Sequence, residues 1–219
     1  MLIFLGVGIL GLLHSPLLAV DTIEIVGSDR TDVAQAVAGT GLGPGALLLW
    51  VDTEEVERAV ASDPWVLDAR VSRLWPDRIL VEVVEHNPLV WIEGTRQWML
   101  VARDGTVIEQ ALEPGQGLLR AALAFPDRMP GELPSDPAWH EVVEMALVLA
   151  DDIGDLLTLE MRGAELWTEA FGHAVRLGHP IDLADKGRTL RAMLSEDLPA
   201  GSIIDVSSPL RPAVVPTES

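Results

Sequence analysis

Ala69-Arg70-Val71-Ser72-Arg73-Leu74-Trp75-Pro76-Asp77-Arg78-Ile79-Leu80-Val81-Glu82-Val83 is the stretch from which the organisation of the chain can be worked out. Ala69 and Val71 alternate with Asp68, Arg70 and Ser72, and Ile79, Val81 and Val83 resume the alternation after Trp75-Pro76-Asp77-Arg78. Period-two patterning buries one face of each run, and Pro-Asp supplies a turn, so the stretch reads as a hairpin. Upstream, Asp52–Ala61 reads as a helix: Asp52 is a suitable N-cap, Glu55 follows three residues on, and Val56, Ala59 and Val60 form an apolar stripe. Ser62-Asp63-Pro64 ends it. An earlier helix is predicted over Ser28–Ala38, with Val33, Ala36 and Val37 at helical spacing and Gly39 as the stop. Before it, Ile23 and Ile25 alternate with Thr22 and Glu24 in a short strand over Asp21–Val26. Residues 21–86 therefore run strand, helix, helix, strand, strand.

A second unit is predicted from Asn87-Pro88 onward. Leu89–Ile92, Trp98–Ala102 and Thr106–Glu109 read as strands, the last two joined through Arg103-Asp104-Gly105. A proline-rich loop over Phe125–Pro137 leads into a helix over Ala138–Ile153, with Val142, Ala146, Leu149 and Ile153 as its buried stripe. Leu156–Met161, Ala164–Trp167 and Ala174–Leu177 are further short strands. Leu183, Leu190, Met193 and Leu194 mark another helix, and Ile203–Val206 a late strand. Pro209, Pro212 and Pro216 predict an irregular tail.

Met1–Val20 contains no Asp, Glu, Lys or Arg. At ~1.5 Å per residue it gives about 30 Å of helix, one bilayer core. A cleaved secretory signal shares such an apolar core but usually has a shorter one with a basic start. The expectation is a retained anchor, and on either reading the body is exported. The body is acidic: 15 bases against 34 acids give a net charge of −19. That excludes the basic footprint a nucleic-acid partner requires. It equally excludes a polybasic attraction to anionic lipid. Hydrophobic content of 48% is ample for packed cores. There are no cysteines, so disulfides, thiolate metal sites and a cysteine nucleophile are all absent.

Pro64-Trp65-Val66, the Arg73-x-Trp75-Pro76 turn, and Val81-x-Val83-x-Glu85 followed by Pro88 together resemble the FtsQ/DivIB family of bacterial cell-division proteins. Ser15-Pro16-Leu17-Leu18-Ala19-Val20 leading to Ile23-x-Ile25-x-Gly27 agrees, and Asp104-Gly105-x-Val107 and Ile204-Asp205-Val206 add weaker support. The resemblance covers Ser15 to about Pro212. It implies an α+β protein: an N-terminal transmembrane helix (1–20), a POTRA domain of β-α-α-β-β order (21–86) and a mixed, mainly antiparallel β domain with flanking helices (87–208). A proline-rich flexible tail (209–219) would follow. The resemblance also implies a single-pass type II protein of the inner membrane at the division septum, with most of the chain extracytoplasmic. Its role would be a divisome scaffold linking early and late division proteins. It would bind FtsB/FtsL-type coiled-coil partners, with other divisome components reached through the POTRA domain. No catalytic residue, cofactor or metal is expected. Family members carry a cytoplasmic tail ahead of the anchor, whereas this sequence starts at the anchor. Ser207-Ser208-Pro209 also lacks the aromatic or basic residues that some relatives carry there.

Competing motifs are weaker. Gly39-Thr40-Gly41-Leu42-Gly43-Pro44-Gly45 lacks the Gly-Lys-Ser/Thr ending of a phosphate loop and reads as a flexible connector between helices. His140-Glu141-x-x-Glu144 nearly spells a zinc-protease motif but has no second histidine. His173 and His179, with Asp182 following, have no Gly-x-Ser-x-Gly nucleophile to serve. Trp65 and Trp75 are expected as core anchors between helices and sheet. Pro64, Trp65, Arg73, Trp75, Pro76 and Glu85 are taken as structural residues of the POTRA motif, with Glu85 at the domain junction. The candidate partner site is the late strand: Ile203, Ile204, Asp205 and Val206 with Ser207 and Ser208, and His179 near a strand end. An edge there could accept a partner's extended segment by strand addition. The alternatives are another exported POTRA-type chaperone or transport component and, further off, an exported hydrolase, which would show a cleft of convergent titratable groups.

Overall fold

The computed structural model describes residues 18–150, 157–196 and 198–216. Most of the predicted anchor lies outside them, and among the described residues no helix is long and apolar enough to cross a membrane. The chain forms two compact units, Met1–His86 and Asn87–Ser219.

The first unit contains β1 (Thr22–Val26), α1 (Val33–Gly39), a single 3-10 turn (Leu48–Trp50), α2 (Thr53–Val60), β2 (Val66–Leu74) and β3 (Arg78–Glu85). Its three-stranded sheet has the order β1-β3-β2. The predicted hairpin is present, with Val71 opposite Val81 and Arg73 opposite Ile79. β1 runs parallel to β3, Ile23 opposite Ile79 and Ile25 opposite Val81. The two helices supply the crossover such a parallel pairing requires. One core unites Val33, Val37, Val56 and Val60 of the helices with Val71, Ile79, Val81 and Val83 of the sheet. The predicted cap Asp52 accepts a hydrogen bond from the Glu55 N–H at 3.1 Å.

α1 begins later than its periodicity predicts, and Glu85 is the reason. One oxygen of its carboxylate accepts the N–H groups of Asp29, Arg30 and Thr31 at 3.2, 2.9 and 3.0 Å, and the Thr31 hydroxyl at 2.7 Å. Those donors stay in a loop, and Asp32 becomes the cap of a helix that starts at Val33. Burial pushes the Glu85 carboxyl up, but the Thr31 hydroxyl and the three N–H groups outweigh it and hold the group below its ordinary value. Glu85→Ala should cost about 1.5 kcal/mol, the low end for a charged acceptor because the loop is half open to water. A lowered folded-state pKa means this contribution exists above the unfolded value and fades as pH falls through the folded one. Urea unfolding should therefore separate wild type from variant at neutral pH, and the difference should shrink as the pH falls below the ordinary glutamate value of about 4.3.

Two tryptophan expectations are corrected. Trp75 sits in the β2–β3 turn and is exposed, and neither it nor Trp65 joins the core. Trp65 is half-buried with the Arg30 guanidinium stacked 4.9 Å from its ring centre. A tryptophan at a turn has no facing helix to fill, so burial goes to the valines and isoleucines of the strands. Arg73 instead has a clear structural role: Nε and Nη2 donate to the carbonyls of Leu48 and Val51 at 3.1 and 2.5 Å, which fastens the 3-10 turn to β2. The glycine-rich connector is also pinned, through Val20 N–H to Ala46 O and Gly45 N–H to Val20 O at 2.7 and 2.8 Å.

The second unit comprises β4 (Pro88–Gly94), β5 (Trp98–Ala102), β6 (Val107–Ala111), β7 (Leu119–Phe125), α3 (Pro137–Leu149), β8 (Thr158–Arg162), β9 (Glu165–Ala170), β10 (His173–Gly178), α4 (Leu183–Leu194), β11 (Ile203–Asp205) and β12 (Ala213–Val215). The nine strands form one sheet in the order β12-β11-β10-β9-β8-β7-β4-β5-β6. Five of its pairings are antiparallel and three parallel, so the expected mixed, mainly antiparallel sheet is observed. Trp139, Met145 and Leu149 of α3, with Leu190 of α4, share a core with Ile92, Met99, Leu159 and Val175 of the sheet. Glu141 accepts the Leu183 N–H at 2.8 Å, so the acid of the apparent zinc motif caps the start of α4.

Two further corrections concern the sheet. β7 was not expected, yet it lies between β4 and β8. The segment read as an irregular tail folds back as β12 on β11, with Ile204 opposite Val214. Prolines are compatible with this because Pro212 and Pro216 flank the strand, which is the last of the sheet order.

Candidate partner-binding site

Ile203–Asp205 is not at the sheet edge. β11 is interior, parallel to β10 on one side and antiparallel to β12 on the other. The reason lies in the alternation: Ile204 and Val206 are fully buried beneath the helices, and β12 covers the flank that would otherwise be free. β12 is the terminal strand at this end of the order, β6 at the other, and among the described residues no strand pairs with the outer side of β12.

β11 is held by an ionic clasp. Arg176 of β10 bonds the Glu165 carboxylate through Nε at 2.8 Å and through Nη2, and Asp205 through Nη1 at 3.0 Å. The Ser207 N–H closes a turn onto the other Asp205 oxygen at 2.9 Å. Burial pushes the Asp205 carboxyl up, but Ser207 and Arg176 together hold it below its ordinary value. The hydrogen bond from Arg176 does the same to Glu165, and the two acids raise the guanidinium in turn. These charges lie partly open to solvent, so the clasp fixes register more than it adds stability.

His179 and Ser207 come together in the same region. A Cβ added at Gly178, where φ is +68°, would lie 2.8 Å from that of Ser207. Both residues line a groove of about 370 Å³ with Ile181, Asp182 and Lys186. The buried Lys186 ammonium donates to the His179 carbonyl at 2.6 Å. Burial lowers its pKa, while Asp182 and Glu141 pull in the opposite direction. Arg176 and Glu165 are tied to each other and Lys186 to backbone, an arrangement that sets geometry. His173 lies apart from them and pairs with the buried Ser202, whose Oγ is 3.0 Å from Nδ1, beneath the turn into β11. Ser208 falls in the loop before β12, where its carbonyl accepts the Arg211 N–H at 3.0 Å. The sequence reading thus assembles Asp205, Ser207 and His179 in one region but misses Arg176, Glu165 and β12. A lone arginine within Ala174–Leu177 was the available signal, since a charge inside a buried strand requires a partner.

Residues 18–86 match the POTRA domain, FtsQ-type. Cell division protein FtsQ of Mycolicibacterium smegmatis is 29% identical over 212 residues, covering 94% of this chain and 60% of that protein. FtsQ of Myxococcus fulvus is 27% identical over 216 residues, covering 93% and 74%. FtsQ of Corynebacterium glutamicum reaches 36% identity over a shorter 78 residues. The chain spans 60 to 65% of the length of the mycobacterial relatives it matches. The first unit thus matches an FtsQ-type POTRA domain, and the chain is similar to FtsQ cell division proteins along nearly all of its length.

Proposed function

We propose that this protein is a non-enzymatic scaffold of the division machinery, anchored through residues 1–20, whose second unit captures an extended segment of an FtsB/FtsL-type partner by strand addition. The observation that carries the reading is the sheet order ending in β12 with an unpaired outer side. Strand addition takes affinity from main-chain bonds and asks little of side chains. The short Ala213-Val214-Val215 edge, lacking aromatic or basic residues, suits that mode. Ile203, Ile204, Asp205, Val206, Ser207 and Ser208 then act one layer behind the edge. They hold β12 in register, with Arg176 clasping Asp205 and His179 flanking the turn. Confinement beside the membrane raises the effective concentration of the scaffold toward other anchored division proteins. Further division proteins would be reached through the POTRA domain.

Proline scanning of β12 tests this. Successive N–H groups of an antiparallel strand point to opposite sides. Of Val214→Pro and Val215→Pro, one therefore removes a bond to β11 and the other a donor on the free side. The full chain in detergent should capture the host's FtsB/FtsL-type proteins. The variant that loses the outward donor should lose capture while its thermal midpoint stays near wild type. Equal capture by both variants would move the site off β12. No capture by wild type would end the scaffold reading.

A further inference from the structure

The first unit has one end crowded with exposed apolar side chains, and its core begins inside the uncharged run. Val20 is the last residue of that run and is 1% exposed, bonded on both sides to the Gly45–Ala46 segment. Ala19 pairs with Leu47 in an isolated bridge. Asp21 N–H then reaches Asp77 O at 2.8 Å, in the β2–β3 turn. The exit of the run, the 3-10 turn and the β2–β3 turn therefore share one end of the sheet, and Arg73 joins the last two through its bonds to Leu48 and Val51. On those two turns Trp50 is 67% exposed, Trp75 55% and Leu49 38%.

We infer that Trp50 and Trp75, with Leu49, seat this end of the first unit in the headgroup region of the bilayer. The inference rests on the anchor reading of residues 1–20. Leu18, Ala19 and Val20, the end of the run read as the anchor, already belong to the folded unit rather than to a bilayer span. The boundary of the anchor therefore falls before them, and three residues span at most about 10 Å. On the anchor reading, the fold starts at the membrane exit. A soluble surface has little reason to display two tryptophans and a leucine together, whereas a membrane interface is where their amphipathic rings are enriched. Asp21, Asp52, Asp77 and Arg78 line the same end and keep the seating shallow. The body's net charge of −19 rules out an electrostatic attraction to anionic lipid, so the contact is apolar in origin and added salt should not weaken it.

The chain has no cysteine, so single thiols can report position. Spin labels at Leu49→Cys and Pro76→Cys are compared with one at Leu67→Cys, an exposed position seven residues along β2 from Leu74, about 23 Å away. The full chain is reconstituted in phosphatidylcholine vesicles at low protein density. Oxygen should collide with the Leu49 and Pro76 labels several-fold more often than a water-soluble nickel chelate does. The Leu67 label should show the reverse. A Trp50→Ser, Trp75→Ser double variant, folded by circular dichroism, should return both reporters to water. Free access of nickel to both reporters in wild type overturns the seating, as does shielding that appears only at high protein density, which would mark a second copy as the occupant. Alkaline extraction separates the two readings. Release of wild type from the vesicles refutes the anchor itself, whereas retention with nickel-accessible reporters refutes the seating alone.

Discussion

Replacing Trp139 with alanine should lower the stability of the second unit by about 4 kcal/mol, within the range for a tryptophan removed from a packed core. The side chain is 1% exposed. It packs edge-on against Phe125, ring centres 5.5 Å apart, and its Nε1 donates to the Gly105 carbonyl at 3.0 Å. Alanine leaves a cavity under the sheet and an unpartnered carbonyl in the β5–β6 turn. Trp139→Phe would fill most of the volume but still lose the hydrogen bond, so about half the effect is expected. Urea unfolding followed by far-ultraviolet circular dichroism checks both. A loss below about 1 kcal/mol for the alanine variant would mean the site collapses around the gap, contrary to its close packing.

Gly27→Ala should be nearly as damaging in the first unit, at about 3 kcal/mol. The residue has φ +82°, and a Cβ there would stand 2.1 Å from the Val83 carbonyl oxygen. That oxygen belongs to β3, the central strand of the three, so it cannot move aside without breaking the sheet. Gly41→Ala is the control: its φ is +78°, but a Cβ meets nothing within 4 Å. It should cost only about 1 kcal/mol of backbone strain. Thermal midpoints of the two variants separate the steric cost from the conformational one. Equal shifts would mean that the β1–β3 contact relaxes and that conformation alone sets the effect.

Much of this architecture was legible because burial wrote itself into spacing. The Ile79-Val81-Val83 alternation fixes β3 to one face, and Asp52 with the Val56–Val60 stripe locates α2. β7 escaped notice because Leu119-Arg120-Ala121-Ala122-Leu123-Ala124-Phe125 is alanine-rich and carries no clean period. It becomes a strand because β4 and β8 lie on either side to pair with it. β12 escaped because three prolines signalled disorder, although prolines that bracket a strand are what an edge tolerates. That one misreading also displaced the proposed site, since β11 looks like an edge only if nothing follows it. Trp65 and Trp75 misled for a different reason. Their size argues for burial, but only contact with a facing element can bury them, and that information is tertiary. Asp205, Ser207 and His179 could be singled out from sequence and the structure brings them into one region, while Arg176 needed the cross-strand neighbour Glu165 to become visible.

The placement of Lys186 has a practical reach beyond stability. It is the sole lysine, and its Nζ is buried and engaged with the His179 carbonyl. Amine-directed cross-linkers and labels, which require an accessible neutral amine, will find no reactive lysine on this body. Mapping its neighbours by mass spectrometry calls for carboxylate coupling, with 34 acidic residues to choose from, or for thiols introduced where no native cysteine competes.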